Sequence, residues 1–277
     1  MKKKLLRKQA NNSISSIPPN NLNFDFQIVL VEPSGSINIG FVARSMKNFG
    51  FKNLILFNPQ CEIDSDARKY SMHARQEILE KARVIHLNKD EEITRESYLN
   101  KFEKFLEQFD FVIGTSGKTS TFRNINRVAY FVDDLDFSSV TPSKKIKIAL
   151  LFGRESIGLY NEEIDLCDIL LKIPTSDDYT ALNLSHAISI VLFTIFKKIR
   201  VIRKGNVVTS TREQRETLYG RIWGVLSKLE FKKNVDKKII RTFKNILGRS
   251  FSSMKEVNLL LTLFLRIETF IKRTNVK

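Results

Sequence analysis

The sequence predicts an α/β domain on a mostly parallel sheet flanked by helices, followed by a small all-helical extension. Three observations predict it. From residue 26 to about residue 200, short runs of branched and aromatic residues alternate with helix-length amphipathic stretches. Four of those runs end in glycine- or hydroxyl-rich loops, the place where open α/β sheets bind ligands. Beyond residue 211 the apolar residues fall at three-to-four spacing, a helical pattern.

The elements follow in order. Residues 1–25, rich in Asn, Ser and Pro, read as a flexible basic arm. The domain over 26–200 opens with the strand F-Q-I-V-L-V, a helix over 39–49 ended by Gly50, and the strand N-L-I-L-F. A helical stretch near 66–82 leads to V-I-H-L, a charged helix near 91–108 and the strand F-D-F-V-I-G-T. K-I-A-L-L-F-G, a short helix in N-E-E-I-D-L-C, the strand I-L-L-K-I-P and a long apolar helix through I-S-I-V-L-F-T-I-F complete the domain. Residues 201–211 read as a linker, with Ser210-x-x-Glu213 as a capping box opening the basic helical domain 212–277. No internal repeat is visible.

At 277 residues and 42% hydrophobic content the chain can bury a substantial core, which excludes a disordered chain. Cys61 and Cys167 form no close pair, and no Cys/His cluster has zinc-ligand spacing, so free thiols and no metal are expected. The longest apolar runs, 188–196 and 259–265, fall short of a membrane span. A basic start with no apolar h-region argues against a secretory signal, and a cytoplasmic location is expected.

The net charge of +16 is unevenly placed. Residues 1–24 carry five Lys/Arg and no acids, 25–200 carry 23 basic and 24 acidic side chains, and 201–277 carry 18 basic and six acidic. A near-neutral body with a strongly basic C-terminal segment suggests chemistry in one part and polyanion capture, by RNA or DNA, in the other.

Four stretches are candidates for chemistry. In N-I-G-F-V-A-R-S-M-K-N-F-G, Asn38 can cap the helix while Val42, Ala43, Met46 and Phe49 share the sheet-facing side. Arg44 falls on the opposite side, where a surface arginine ordinarily sits. Gly40 in the first turn implies a close approach to the backbone. The loop Gly114, Thr115, Ser116, Gly117, Lys118, Thr119 resembles a P-loop superficially, but Val112 stands where that motif needs a glycine, and no G-x-G-x-x-G follows any strand. The third stretch, L-F-G-R-E-S-I-G-L-Y-N-E-E, ends a strand at Gly153, Arg154 and Glu155; the fourth, I-P-T-S-D-D-Y-T-A-L-N-L-S-H-A, breaks a strand at Pro174. Asp177 and Asp178 read as solvent-facing acids, and His73, His86 and His186 as packed or surface imidazoles outside any triad.

Read in order, the first, third and fourth stretches resemble the three signature motifs of the SpoU/TrmH branch of SPOUT methyltransferases, over about residues 26–275. G-T-S-G-K and the helical C-terminal extension resemble the TrmJ group in particular. The resemblance implies a homodimeric enzyme with a deep C-terminal trefoil knot, an exception to the rule that chains do not knot. It implies transfer of a methyl group from S-adenosylmethionine to a ribose 2′-hydroxyl of tRNA, at anticodon-loop position 32, on cytidine and in some relatives uridine. Ribosomal RNA as substrate, or a catalytically silent RNA-binding protein, are the alternatives. Cofactor contacts implied by motif matching are Thr115, Ser116, Gly117, Gly153, Ile173, Thr180, Ala181 and Leu182. Arg44 would stabilise charge and orient phosphate beside the site, Asn38 and Glu155 would hold its surroundings, and Asn183 would shape the last loop. Ala181 departs from a serine common in relatives, so a hydroxyl role there passes to Thr180 or Ser185 or is dispensable; Gly117 and Lys118 replace a common Ala-Arg pair.

Overall fold

The computed structural model describes residues 24–87, 94–117, 129–135, 145–176, 178–199, 209–229, 231, 234–250 and 252–274. Most of the expected arm, Lys118, Thr119, Asp177 and residues 201–208 of the expected linker lie outside the described residues.

Seven parallel strands form one sheet in the order β3-β2-β1-β6-β4-β7-β5: β1 (Phe24–Val31), β2 (Asn53–Phe57), β3 (Arg83–Ile85), β4 (Phe111–Thr115), β5 (Tyr130–Phe131), β6 (Ile146–Phe152) and β7 (Ile169–Lys172). The register runs from Phe24 opposite Ile146 to Leu30 opposite Phe152 between β1 and β6. Because side chains alternate faces along a strand, each central strand feeds two cores. Ile28, Leu30, Ile148, Leu150 and Ile113 face one core, and Val29, Val31, Ala149, Leu151 and Val112 face the other.

Helices cover both faces. α1 (Ser36–Asn48) and α5 (Leu184–Ile199) place Ile39, Val42, Met46, Ile188, Val191 and Ile195 in the first core. α3 (Arg95–Leu106) and α4 (Asn161–Asp165) place Phe102, Phe105, Leu106 and Ile164 in the second. Fully burying one such side chain is worth about 1.5–3 kcal/mol, which outweighs the helix propensity of any single residue here.

Several elements differ from expectation. β1 begins at Phe24, inside the expected arm, because Phe24 is buried and pairs with Ile146. α1 starts three residues early: Gly35 is its N-cap, with no side-chain cap bond, so Asn38 lies inside the first turn and is free for another partner. The close approach at Gly40 is helix packing, since a Cβ there would lie 2.5 Å from the Ala67 carbonyl oxygen. The helix expected near 66–82 is broken into α2 (Ser65–Ser71), a 3₁₀ turn and a π turn, with Met72 at φ 49° at the break. β5 has only two residues, too few for any periodicity to show.

The C-terminal helices α6 (Arg212–Leu226), α7 (Val235–Arg249) and α8 (Met254–Thr274) share a core of Leu218, Tyr219, Ile222, Leu226, Leu247 and Val257. The capping box falls one residue later than expected, on Thr211 and Gln214, because the Ser210 hydroxyl is buried against Ser252. The module docks on the N-terminal ends of β4 and β7. Arg215, fully buried, donates to the carbonyls of Ser210 and Asp110, stacks 3.8 Å from the Phe111 ring centroid and lies 3.7 Å from Asp168. Arg241 donates to the carbonyls of Ile164, Asp165 and Cys167 at the end of α4. A Cβ on Gly248 would lie 2.5 Å from the Asp168 carbonyl oxygen.

Candidate active site

The carboxyl ends of β4, β6 and β7, neighbours in the sheet, open into a cavity of about 180 Å³. Thr115 ends β4 and Ser116 and Gly117 follow it, Gly153 follows β6, and Ile173 follows β7. Thr180, Ala181 and Leu182 come from the loop before α5. All eight residues expected to contact a cofactor therefore line one wall-to-wall space, from segments up to 67 positions apart in the chain.

One glycine is set by backbone contacts, and a second lies close to its neighbour. A Cβ on Gly153 would lie 2.1 Å from the carbonyl carbon of Gly158 and 2.3 Å from the Leu159 nitrogen, so only glycine fits where these strands of chain pass. A Cβ on Gly117 would come within 3.3 Å of the Thr180 carbonyl oxygen. The cavity wall also contains a buried hydroxyl, Thr175 Oγ1, with no hydrogen-bond partner among the described residues. Buried polar atoms are nearly always paired, so an orphan in a cavity wall fits a site shaped for a polar ligand.

Beside the cavity runs a chain of hydrogen bonds. Ser34 and Gly35 donate their backbone N–H groups to the Glu155 carboxylate at 3.2 and 3.1 Å, and the Ser34 hydroxyl donates at 3.0 Å. Asn38 Nδ2 donates to Glu155 Oε1 at 3.1 Å, and Asn183 Nδ2 donates to Asn38 Oδ1 at 3.0 Å. Asn183 Oδ1 accepts from the Ser185 N–H and hydroxyl at 2.9 and 2.7 Å, which starts α5. Burial alone would raise the Glu155 pKa, but the bonds from Asn38, the backbone and Ser34 hold its carboxyl below the usual range.

Four of the five residues expected to serve catalysis, Asn38, Glu155, Asn183 and Ser185, are thus joined across the ends of β6, α1 and α5. Arg44 is not in this chain. It lies exposed on α1, has no hydrogen bond or ion pair among the described residues, and does not line the cavity. The next residue ties its helix to α5: the Ser45 and Ser189 hydroxyls are 2.7 Å apart. Ser185 does not line the cavity and its hydroxyl is committed to Asn183, whereas Thr180 lines it.

Sequence reasoning missed Thr175, and it named Arg154 at a strand end without giving it a role. Thr175 had a signal, a hydroxyl directly after the strand-ending Pro174; two partners of Arg154, Glu32 and Tyr98, lie 122 and 56 positions away, where no local signal shows them. His73, His86 and His186 are exposed and outside the cavity. Cys167 is a buried free thiol whose pKa is pushed up to about 12 by burial, and Cys61 is also free.

Residues 25–193 match the model of the family described as SpoU rRNA Methylase. The tRNA (cytidine-2'-O-)-methyltransferase TrmJ of Methanocaldococcus jannaschii is 35% identical over 240 residues, 86% of this chain and 97% of that one. The tRNA (cytidine/uridine-2'-O-)-methyltransferase TrmJ of Photorhabdus laumondii is 28% identical, covering 90% and 99%. A solved structure described as a probable methylase family protein from Haemophilus influenzae superposes with a TM-score of 0.59 at 28% identity, covering 91% of this chain and 99% of that one. The motifs, the sheet that carries them and these similarities agree, and the chain belongs to the SpoU methylase family.

Proposed function

We propose that this chain is an S-adenosylmethionine-dependent tRNA ribose 2′-O-methyltransferase. The observation that carries the reading is the convergence of eight residues from separate segments on one cavity, beside the Glu155–Asn38–Asn183 chain. The near full-length match to relatives named as tRNA 2′-O-methyltransferases supports it over the ribosomal substrate in the family's description. Within that activity, position 32 of the anticodon loop is the target we propose.

The cavity suits the cofactor: backbone turns at strand ends, an unpartnered Thr175 hydroxyl and apolar walls from Leu171, Ile173 and Leu182 offer contacts for polar groups and a flat ring. Bound there, S-adenosylmethionine supplies a methyl group on a positively charged sulfur. A ribose hydroxyl is a weak nucleophile until its proton leaves, and transfer needs the attacking oxygen in line. The proton passes to a phosphate oxygen or to water, while Arg44 orients phosphate and stabilises the developing oxyanion. Asn38 and Asn183, locked by Glu155, hold the start of α1 and the loop before α5 in register beside it.

A homodimer belongs to the same reading. α1, which carries Arg44, and α5 expose Ile37, Ile190 and Phe193, and Phe193 packs on the half-buried Phe49 at 5.8 Å. A second subunit covering this patch brings Arg44 to a shared site. A C-terminal trefoil knot, implied by the motif resemblance, is part of the same proposal. A cytoplasmic location is part of the proposal; no helix among the described residues is long and apolar enough to cross a membrane.

The test is incubation of the purified protein with unmodified bulk tRNA, or with unmodified rRNA, and labelled cofactor, followed by mass-spectrometric mapping. Label at ribose 32 of tRNA is expected. Label only in rRNA overturns the substrate; no cofactor binding by calorimetry overturns the enzyme and favours a silent RNA binder.

A further inference from the structure

The turn that closes the cavity between β6 and α4 sends two consecutive side chains in opposite directions. Glu155 reaches out to α1, as described. Arg154 reaches inward, with only 9% of its side chain exposed.

All five of its N–H groups have acceptors. Nε donates to Glu32 Oε2 at 2.7 Å; Nη1 donates to Glu163 Oε2 at 3.0 Å and to the Gly158 carbonyl at 3.3 Å; Nη2 donates to Glu163 Oε1 at 3.0 Å and to the Tyr98 hydroxyl at 3.1 Å. Its guanidinium carbon lies 3.9 Å from the Tyr160 ring centroid. Glu163, fully buried, also accepts from the Tyr98 hydroxyl at 2.5 Å and from the Tyr160 N–H at 2.7 Å. Glu32 accepts from Asn58 Nδ2 at 2.5 Å, and both Glu32 and Asn58 sit at φ 49°, just past the ends of β1 and β2. Left-handed backbone at such residues costs about 1–3 kcal/mol and persists where the surroundings over-determine it.

One arginine thus ties the carboxyl ends of β1, β2 and β6 to α3 and α4. Buried ion pairs are weak stabilisers compared with apolar packing of the same volume, so a fully satisfied cluster is better explained by the geometry it imposes. Its bidentate fork on Glu163 is a contact lysine cannot make. The turn it fixes is also closed on itself: the Arg154 N–H donates to the Gly158 carbonyl at 3.2 Å, and the Gly158 N–H donates back at 2.9 Å.

We propose that Arg154, clamped by Glu32, Glu163 and Tyr98, is a positioning residue for methyl transfer: it fixes the 154–158 turn and thereby the Glu155 carboxylate that holds Asn38 and Asn183. The inference rests on the methyltransferase reading above. No atom of the clamp needs to touch substrate for it to act.

The experiment is a double-variant cycle read in turnover at saturating cofactor and tRNA. Methyl transfer by the unaltered protein is measured first, and its absence overturns the functional reading rather than this clamp. Arg154→Lys keeps the charge and loses the fork; Tyr98→Phe removes one hydroxyl and serves if Arg154→Lys does not fold. Arg154→Lys is expected to lower kcat about tenfold or more and Tyr98→Phe about threefold, and neither is expected to lower kcat further when Glu155→Gln is already present. Losses that multiply with Glu155→Gln, a lowered Tm with kcat unchanged, or a rise confined to the cofactor KM each overturn the proposal.

Discussion

Replacing Glu155 by Gln isolates the charge that organises the site. Its two carboxylate oxygens take four hydrogen bonds, from Gly35 N–H and Asn38 Nδ2 on one, and from the Ser34 N–H and hydroxyl on the other. An amide keeps one oxygen, so one pair of donors meets an NH₂ group. If Ser34 faces it, the hydroxyl can rotate to accept, but the Ser34 N–H cannot. One stranded donor costs about 1–3 kcal/mol when buried, and the partial exposure of this site puts the loss near 1–2 kcal/mol. For a chain of this size that is a fall in Tm of about 2–8 °C. The larger effect is expected in turnover, because an amide that turns its nitrogen toward Asn38 would break the link to Asn183; a displacement of about 1 Å at a reacting centre costs up to about 100-fold. Urea unfolding, cofactor calorimetry and single-turnover methylation separate the two. A variant that loses the expected stability yet methylates at the normal rate would show that the hydrogen-bond chain is scaffold and not part of the site.

Other expectations follow from the same geometry. Arg44→Ala, which breaks no bond among the described residues, should leave Tm and cofactor affinity unchanged while turnover falls about 100-fold or more; full activity would remove Arg44 from the mechanism. Reversing the exposed Lys237 and Lys238 to Glu should reduce the salt slope of tRNA binding by about 0.7–0.9 for each phosphate that is no longer neutralised, and an unchanged slope would mean that this face does not meet RNA. The Glu155 carboxyl has a lowered folded-state pKa, so its stabilisation is present above the ordinary value of 4.5 and is lost as pH falls through the folded value. The stability gap between the unaltered protein and Glu155→Gln should therefore be full at neutral pH and shrink below about pH 4.5.

That ligand-binding loops end the strands was readable because each follows an apolar run that announces its end; the particular residues Thr115, Gly153 and Ile173 came from the motif resemblance. What stayed hidden depends on contacts made far along the chain. Asn38 has the chemistry of a cap, but Glu155, 117 positions on, takes its amide, and α1 runs back to Ser36. Ser210–Glu213 and Thr211–Gln214 fit the capping pattern equally well; the burial of Ser210 against Ser252 selects the second. Arg154 looks like any loop arginine until Tyr98 and Glu163 fold around it.

The charge of the C-terminal segment needs the same correction. Of its 18 basic residues, Arg212, Arg215 and Arg241 are committed to carbonyls where the module docks, and Arg221, Lys228 and Lys272 converge on Glu268. The face left for a polyanion is narrower than the sequence total suggests. It is also fixed in place, since the docking arginines grip the N-terminal ends of β4 and β7 while the cavity opens at their carboxyl ends. β4, which carries docking contacts at one end and the cavity at the other, has five residues and spans roughly 16 Å. An RNA held by the module and presented to the cavity of the same chain must reach around at least that distance; in the proposed dimer, the alternative is that each module serves the site of the other subunit.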